Sequence, residues 1–203
     1  MPSQSSTHFI FDWTKARIDE MDAALASLKG RTMELHAKSR PEAENLIAEL
    51  GRSREEFSKA ARRYADVTEA EWDRIRGQLE KRWVGFEAQF KKYFESFGEQ
   101  IKQQETTFQD ITAAQIKACR QMADRIQEAA TKFGADHRAD IDTIANRMKS
   151  DAAEAQARIQ KLSHAGAESW TAFNGALGEA RAAFDRAHEA ARDAFKRIAR
   201  PSA

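Results

Sequence analysis

The sequence predicts an all-α protein, and three observations support that prediction. The chain has 9 Gly and 3 Pro in 203 residues, too few turn formers for a β-sandwich or for alternating strands and helices. Ala, Glu, Lys, Arg, Gln and Leu, which all favour helix, fill most of it. Apolar residues also recur with a period of about 3.5–3.67 residues. The expected architecture is an elongated antiparallel bundle of about three very long amphipathic helices with heptad and eleven-residue (hendecad) coiled-coil packing.

The first predicted arm spans residues 8–66 and follows a disordered, Ser-rich tail at residues 1–7. Two heptad series, three residues apart, indicate a helix packing on a partner; they are Phe11, Ile18 and Leu25, and Met21, Leu28 and Leu35. Pro41 should interrupt the arm, because proline disfavours α geometry in the residue before it. Gly51, followed by the capping-box pattern Ser53-Arg-Glu-Glu56, predicts a second interruption.

An eleven-residue period replaces the heptads beyond Phe57. The longest series consists of Tyr64, Ile75, Phe86, Phe97, Phe108 and Cys119. The same spacing recurs in Met122, Phe133 and Ile144, and again in Phe173, Phe184 and Phe195. Eleven residues in three turns give about 3.67 residues per turn, which predicts a straight or weakly right-handed seam.

Two positions could fold this pattern back on itself. Thr68-Glu-Ala-Glu71 is a capping box, and Gly134 is typical of a helix end in the left-handed conformation. Breaks there give second and third arms at residues 68–133 and 136–199, followed by a tail at residues 200–203. A helix that continues through Thr68 is the alternative.

An aromatic and aliphatic stripe on the second arm is the candidate interaction site. Its members share one helical face and are Trp72, Ile75, Leu79, Trp83, Phe86, Phe90, Phe94 and Phe97. Burying six large aromatic side chains is worth roughly 10–18 kcal/mol, so the stripe must contact something. The core of the bundle or of a dimer is the favoured interpretation, and a lipid or polymer surface is the alternative. The Ala-rich third arm would complement it.

Candidate catalytic, metal and cofactor sites are not indicated. None of the five His residues follows a Glu by three positions, as di-iron bundles require, and Asp136 next to His137 is better used as a helix cap. Cys119 continues an apolar series, which predicts a small buried core residue. The sequence therefore predicts a protein that is not an enzyme, with no cofactor and no metal.

Charge and targeting features limit the expected partners. The 33 basic and 32 acidic residues are interspersed, so no basic stripe for nucleic acid is expected. We expect a cytoplasmic protein, with peripheral attachment to a membrane or granule as the alternative, because neither a secretory signal nor a run of 18 apolar residues is found.

Two segments carry a resemblance to known proteins: FIFDWTKARIDEMDAALASLKG and AGAESWTAFNGALGEARAAFDRAHEAARDAF. They resemble uncharacterised bacterial coiled-coil proteins with apolipoprotein-like eleven-residue repeats. The Phe-rich repeats are also similar, more loosely, to those of phasins, which coat polyester storage granules. The resemblance carries no active-site motif.

Three functions follow from these patterns as expectations. The first is a self-associating scaffold, a homo-oligomer that docks protein partners along its long faces. The second is a reversible coat of the phasin or apolipoprotein kind on lipid or granule surfaces. The third is a membrane-shaping dimer of the BAR kind, which the interspersed charge disfavours.

Overall fold

The computed structural model describes the backbone of residues 4–64, 69–98, 104–131, 135–164 and 170–199. In those residues the regular structure is helical, which confirms the all-α prediction. The six α-helices found there are α1 (Gln4–Arg31), α2 (Arg40–Arg63), α3 (Glu69–Phe97), α4 (Gln104–Ala130), α5 (Ala135–His164) and α6 (Trp170–Ala199). A short 3-10 helix, Thr32–Glu34, follows α1.

The prediction of an elongated bundle of about three very long helices is wrong. Each helix has between 24 and 30 residues and is therefore roughly 36–45 Å long. The predicted arms would each have been about twice that length. The chain has more helix ends than the periodicity indicated. One apolar series can run through two consecutive helices, so the series does not show where the first helix ends.

The interruption predicted at Pro41 is present, and it occupies residues 32–39 between α1 and α2. Pro41 lies in the first turn of α2, and the side chain of Ser39 makes no capping hydrogen bond. The Arg40 guanidinium donates hydrogen bonds to the carbonyl oxygens of Leu35 and Met33 in this connection, at 3.1 and 3.0 Å. Arg40 thus closes the connection between α1 and α2.

The other helix ends fall partly near the predicted breaks and partly elsewhere. Helices α2 and α3 end and begin on either side of Thr68, and α4 and α5 on either side of Gly134. Thr68 and Gly134 themselves lie outside the described residues. Two further breaks, between α3 and α4 and between α5 and α6, were not predicted. Gly98 immediately follows α3, and it is the sequence signal that could have indicated the first of them.

The interruption predicted at Gly51 is wrong, because α2 continues through it. Ser53 is not a helix cap either: its hydroxyl donates a hydrogen bond to Oε1 of Gln89 on α3, at 2.8 Å. The pattern Ser-x-x-Glu therefore occurs here inside a helix, where Ser53 joins two helices.

The chain divides into two units, residues 1–111 and 112–203. In the first unit, α1 and α2 are antiparallel, since Asp22 pairs with Arg54 and Trp13 contacts Phe57. Helices α2 and α3 are also antiparallel, as shown by the contacts of Ser53 with Gln89, Glu56 with Arg82 and Tyr64 with Gln78. The first residues of α4 join this unit, where Phe108 contacts Phe94 and Thr107 contacts Ser27. Helices α1 and α3 consequently run in the same direction.

The second unit contains the rest of α4 together with α5 and α6. Helices α4 and α5 are antiparallel, because Cys119 contacts Met148 whereas the later residue Gln127 contacts Asn146. Helix α6 packs on α5, with Arg158 paired to Glu179. The buried side chains of α6 include four large apolar residues and three small ones: Phe173, Leu177, Phe184, Phe195, Ala187, Ala191 and Ala194.

Replacement of Gly51 by Ala tests the continuity of α2. No atom lies within 4 Å of a Cβ built at Gly51, so the methyl group fits. Ala is also the better helix former, so the free energy of unfolding should rise by about 0.5–1 kcal/mol. Urea titration measures it, and Gly85→Ala in α3, which has equal space, is the matched control. Destabilisation by Gly51→Ala alone would show that α2 is broken there.

Candidate functional site

The stripe predicted on α3 lies on one buried face of that helix. All eight of its side chains are buried, and none is more than 7% exposed. Sequence periodicity therefore placed these residues together correctly. In this structure the stripe is part of the core of the first unit.

The first part of the stripe packs against an aromatic residue of α1. The ring of Trp72 meets that of Trp13 edge to face, with centroids 5.9 Å apart and an interplanar angle of 76°. Trp13 also contacts Phe57 of α2, at 6.3 Å. Edge-to-face pairs add about 0.5–1.5 kcal/mol beyond the burial of their area. Trp13 thus joins all three helices.

The last part of the stripe is a chain of aromatic contacts that reaches α4. Ring centroids of Phe90 and Phe94 are 5.0 Å apart, and those of Phe94 and Phe108 are 5.4 Å apart. Tyr93, which the stripe did not include, is fully buried against Phe97 at 5.2 Å. Burial, with a smaller contribution from a neighbouring glutamate, raises the pKa of Tyr93 to about 12. Its phenol therefore stays neutral at ordinary pH.

A buried arginine lies at the centre of the site. The guanidinium carbon of Arg17 is 5.4 Å from the centroid of Trp13 and 5.2 Å from that of Trp83, so it contacts one ring on α1 and one on α3. Arg17 is 4% exposed and Glu20 is 1% exposed. Nη1 of Arg17 lies 3.8 Å from Oε2 of Glu20. Cation–π contacts become stronger when water is excluded, and here the two tryptophan rings cover the guanidinium group of Arg17.

Sequence reasoning missed this arginine because the heptad interpretation assigned a different face of α1. Four of the six heptad residues, Met21, Leu25, Leu28 and Leu35, are buried as that interpretation requires, but Phe11 is 59% exposed and Ile18 is only half-buried. Helix α1 is rotated so that Arg17 and Glu20 face inward. Only the neighbouring tryptophan at position 13 could have indicated this, since Arg and Trp four residues apart share a helix face.

Cys119 is the buried small residue that its eleven-residue series predicted. Its thiol donates a hydrogen bond to the carbonyl oxygen of Met148, at 3.4 Å. Burial is the main cause that raises the pKa of Cys119 to about 11. The thiol of Cys119 therefore stays protonated at neutral pH, whereas the nucleophilic form of a cysteine is the thiolate.

Metal-binding and membrane-spanning features were sought in the described part of the chain. No group of three or more His, Cys, Asp or Glu side chains there could hold a metal ion. Within the same residues, every helix is too polar or too short in its apolar segments to cross a bilayer.

Trp83 and its neighbour Val84 provide a matched test of the buried stripe. Trp83 stacks on Phe86, with centroids 5.9 Å apart, and Trp83→Ala should lower the free energy of unfolding by about 3–5 kcal/mol by leaving a cavity. Val84 is 59% exposed, so Val84→Ala should change it by no more than about 0.5 kcal/mol. Denaturant titration of both variants measures the difference. If Trp83→Ala and Val84→Ala both lowered the free energy of unfolding only slightly, the stripe would be loosely packed.

Comparisons with known proteins do not assign this site. No family model matches the chain, and no significant match was found among curated proteins or solved structures.

Proposed function

We propose that this protein is a non-enzymatic, self-associating helical scaffold that docks partner chains along exposed helix faces, in the cytoplasm. The observation that carries the proposal is the exposure of three large apolar side chains in the first unit. Phe11, Met33 and Val84 are 59%, 72% and 59% exposed, whereas Trp13, Phe57 and the stripe are buried. Burial of exposed apolar surface between two chains favours their association.

The pattern of surface charge supports protein partners rather than a polyanion. Opposite charges pair across neighbouring helices, as in Arg54 with Asp22 at 2.7 Å and Lys149 with Asp124 at 2.7 Å. Such pairs leave little charge of one sign to attract nucleic acid. They also set which helix faces can meet without repulsion between like charges.

The state of the reactive side chains supports a function without catalysis. The Cys119 thiol and the Tyr93 phenol are buried, and both have a raised pKa. Catalysis near neutral pH by such groups requires the opposite shift, toward the operating pH.

Substitution of the three exposed apolar residues tests the proposal. We expect the wild-type chain to self-associate at micromolar concentration, as measured by sedimentation equilibrium. The triple variant Phe11→Gln, Met33→Gln, Val84→Gln should raise the dissociation constant at least about tenfold, because the apolar area buried between chains decreases. Thermal melting should change little, since these side chains are exposed.

Matched substitutions at exposed charged residues provide the control. Lys59→Gln, Glu95→Gln and Arg82→Gln together should leave the dissociation constant within about threefold, since exposed ion pairs contribute little. A wild-type chain that remains monomeric over the whole concentration range contradicts self-association.

A reversible coat on lipid or granule surfaces is the second candidate, and the buried charges of α1 favour it. Opening of the first unit would return Arg17 and Glu20 to water while the stripe moved to an apolar surface, as interfacial helices do. Flotation with vesicles of neutral and anionic lipids separates the two candidates. A monomeric protein that floats with vesicles would support the coat and overturn the scaffold.

A further inference from the structure

The outer surface of the α2–α3 pair carries two rows of exposed cations. Each helix contributes three, and they are Arg52, Lys59 and Arg63 on α2, and Arg74, Lys81 and Lys92 on α3. We propose that this surface, the cationic face, binds membranes that contain anionic lipids. The inference goes beyond the proposed scaffold, because this binding requires neither self-association nor a protein partner.

Each row is straight because its members return to the same side of their helix. At about 100° per residue, the three cations of each row lie within about 40° of one another. Both rows point away from the core, since Leu50 is buried on the opposite side of α2 and Leu79 on the opposite side of α3. The two helices are antiparallel neighbours with axes about 8–10 Å apart. The rows therefore lie side by side, although their members are scattered over residues 52–92 of the sequence.

Most cations of this face are not neutralised by an ion pair. Among the described residues, no ion pair is found at five of the six, and Lys59 pairs with a neighbouring acid at 3.6 Å. The seam between the rows adds Arg82. The acids on or beside the face are Glu49, Glu55, Glu56 and Glu71. At its edge, Lys91 and Glu95 pair with each other at 3.5 Å. Cations thus outnumber acids, and the face keeps an excess of positive charge.

The scarcity of apolar side chains on the cationic face favours a membrane over a protein partner. The exposed large apolar residue of α3 is Val84, which lies about 70° around the helix from the row. Protein interfaces depend on an apolar, desolvated centre, and exposed ion pairs alone contribute little. An anionic bilayer requires no such centre, because each Lys or Arg near its surface raises the affinity about fivefold.

The acids of the face favour lipid over nucleic acid. Duplex DNA carries a fixed charge about every 1.7 Å along its axis, so some of its phosphates would lie against Glu49 and Glu56. Anionic lipids diffuse in the plane of the bilayer. They can gather at the cations while zwitterionic lipids lie against the acids, so a mixed bilayer avoids this repulsion.

Vesicle flotation at increasing salt tests the cationic face. The wild-type protein is mixed with vesicles of phosphatidylcholine alone, or of equal parts phosphatidylcholine and phosphatidylserine. We expect binding to the anionic vesicles only, with a partition coefficient that falls as NaCl is added, because salt screens the attraction. Absence of binding to the anionic vesicles at low salt would overturn the proposal.

A triple variant with a matched control shows whether the face itself binds. Arg63→Gln, Lys81→Gln and Lys92→Gln together should lower the partition coefficient on anionic vesicles at least about tenfold. The control removes three exposed cations elsewhere, with the same change in net charge: Lys29→Gln, Lys38→Gln and Lys117→Gln. It should stay within about threefold of wild type, because charges distant from the bilayer are screened. Thermal melting should show that both variants fold, since these positions are exposed.

Tryptophan fluorescence distinguishes binding through the cationic face from opening of the first unit. Trp13, Trp72 and Trp83 are buried, so binding of the closed unit should leave their emission unchanged. A shift in emission on anionic vesicles would mean that the buried stripe reaches the lipid, and it would overturn the proposal.

Three further results would also overturn it. Equal binding to neutral and anionic vesicles would mean that apolar surface carries the contact. Equal losses in the two triple variants would mean that net charge, rather than this face, determines binding. Tighter binding to duplex DNA or to polyglutamate than to anionic vesicles, at equal charge concentration, would assign the face to nucleic acid or to an acidic protein.

Discussion

The burial of Arg17 between Trp13 and Trp83 is the constraint on which the first unit depends. A buried charge is expensive to dehydrate, and apolar residues of equal volume often give equal or greater stability. The arginine therefore contributes less to stability than to orientation. Its contact with Trp83 on α3 requires a rotation of α1 that also places Trp13 inside and Phe11 outside.

Sequence periodicity predicted α3 well because this helix follows the pattern of its own residues. All eight stripe residues, spaced for one face of a helix, are buried, and the half-buried Arg76 on the same side of α3 lies over the ring of Trp13. Helix α1 was predicted poorly for the opposite reason. Met21, Leu25 and Leu28 face inward as expected, but so do Arg17 and Glu20, whereas Phe11 is exposed. The contact of Arg17 with Trp83 depends on a residue that is far away in the sequence, and a local pattern cannot show it.

Helix ends were the other part that the sequence could not predict. The helix is interrupted at residues 32–39, and Pro41 lies in the first turn of α2, where its missing N–H leaves no hydrogen bond unmade. Gly51 does not interrupt α2, because a glycine in a helix loses only about 0.5–1 kcal/mol and the packing of α2 on α3 exceeds that loss. The break after Phe97 was missed because apolar residues continue at the eleven-residue spacing on both sides of it. A glycine or a capping-box pattern therefore predicts a helix end only when the tertiary contacts of the segment are also known.

The central claim is that the contact between Arg17 and Trp83 orients α1 on α3, and a double-mutant cycle tests it most directly. Arg17→Met and Trp83→Leu, alone and combined, are compared by denaturant titration. A buried cation–π contact should give a coupling free energy of about 1–2 kcal/mol. A coupling energy within about 0.3 kcal/mol of zero would mean that the two side chains are stabilised independently. The orientation of α1 would then have to arise from its apolar residues alone.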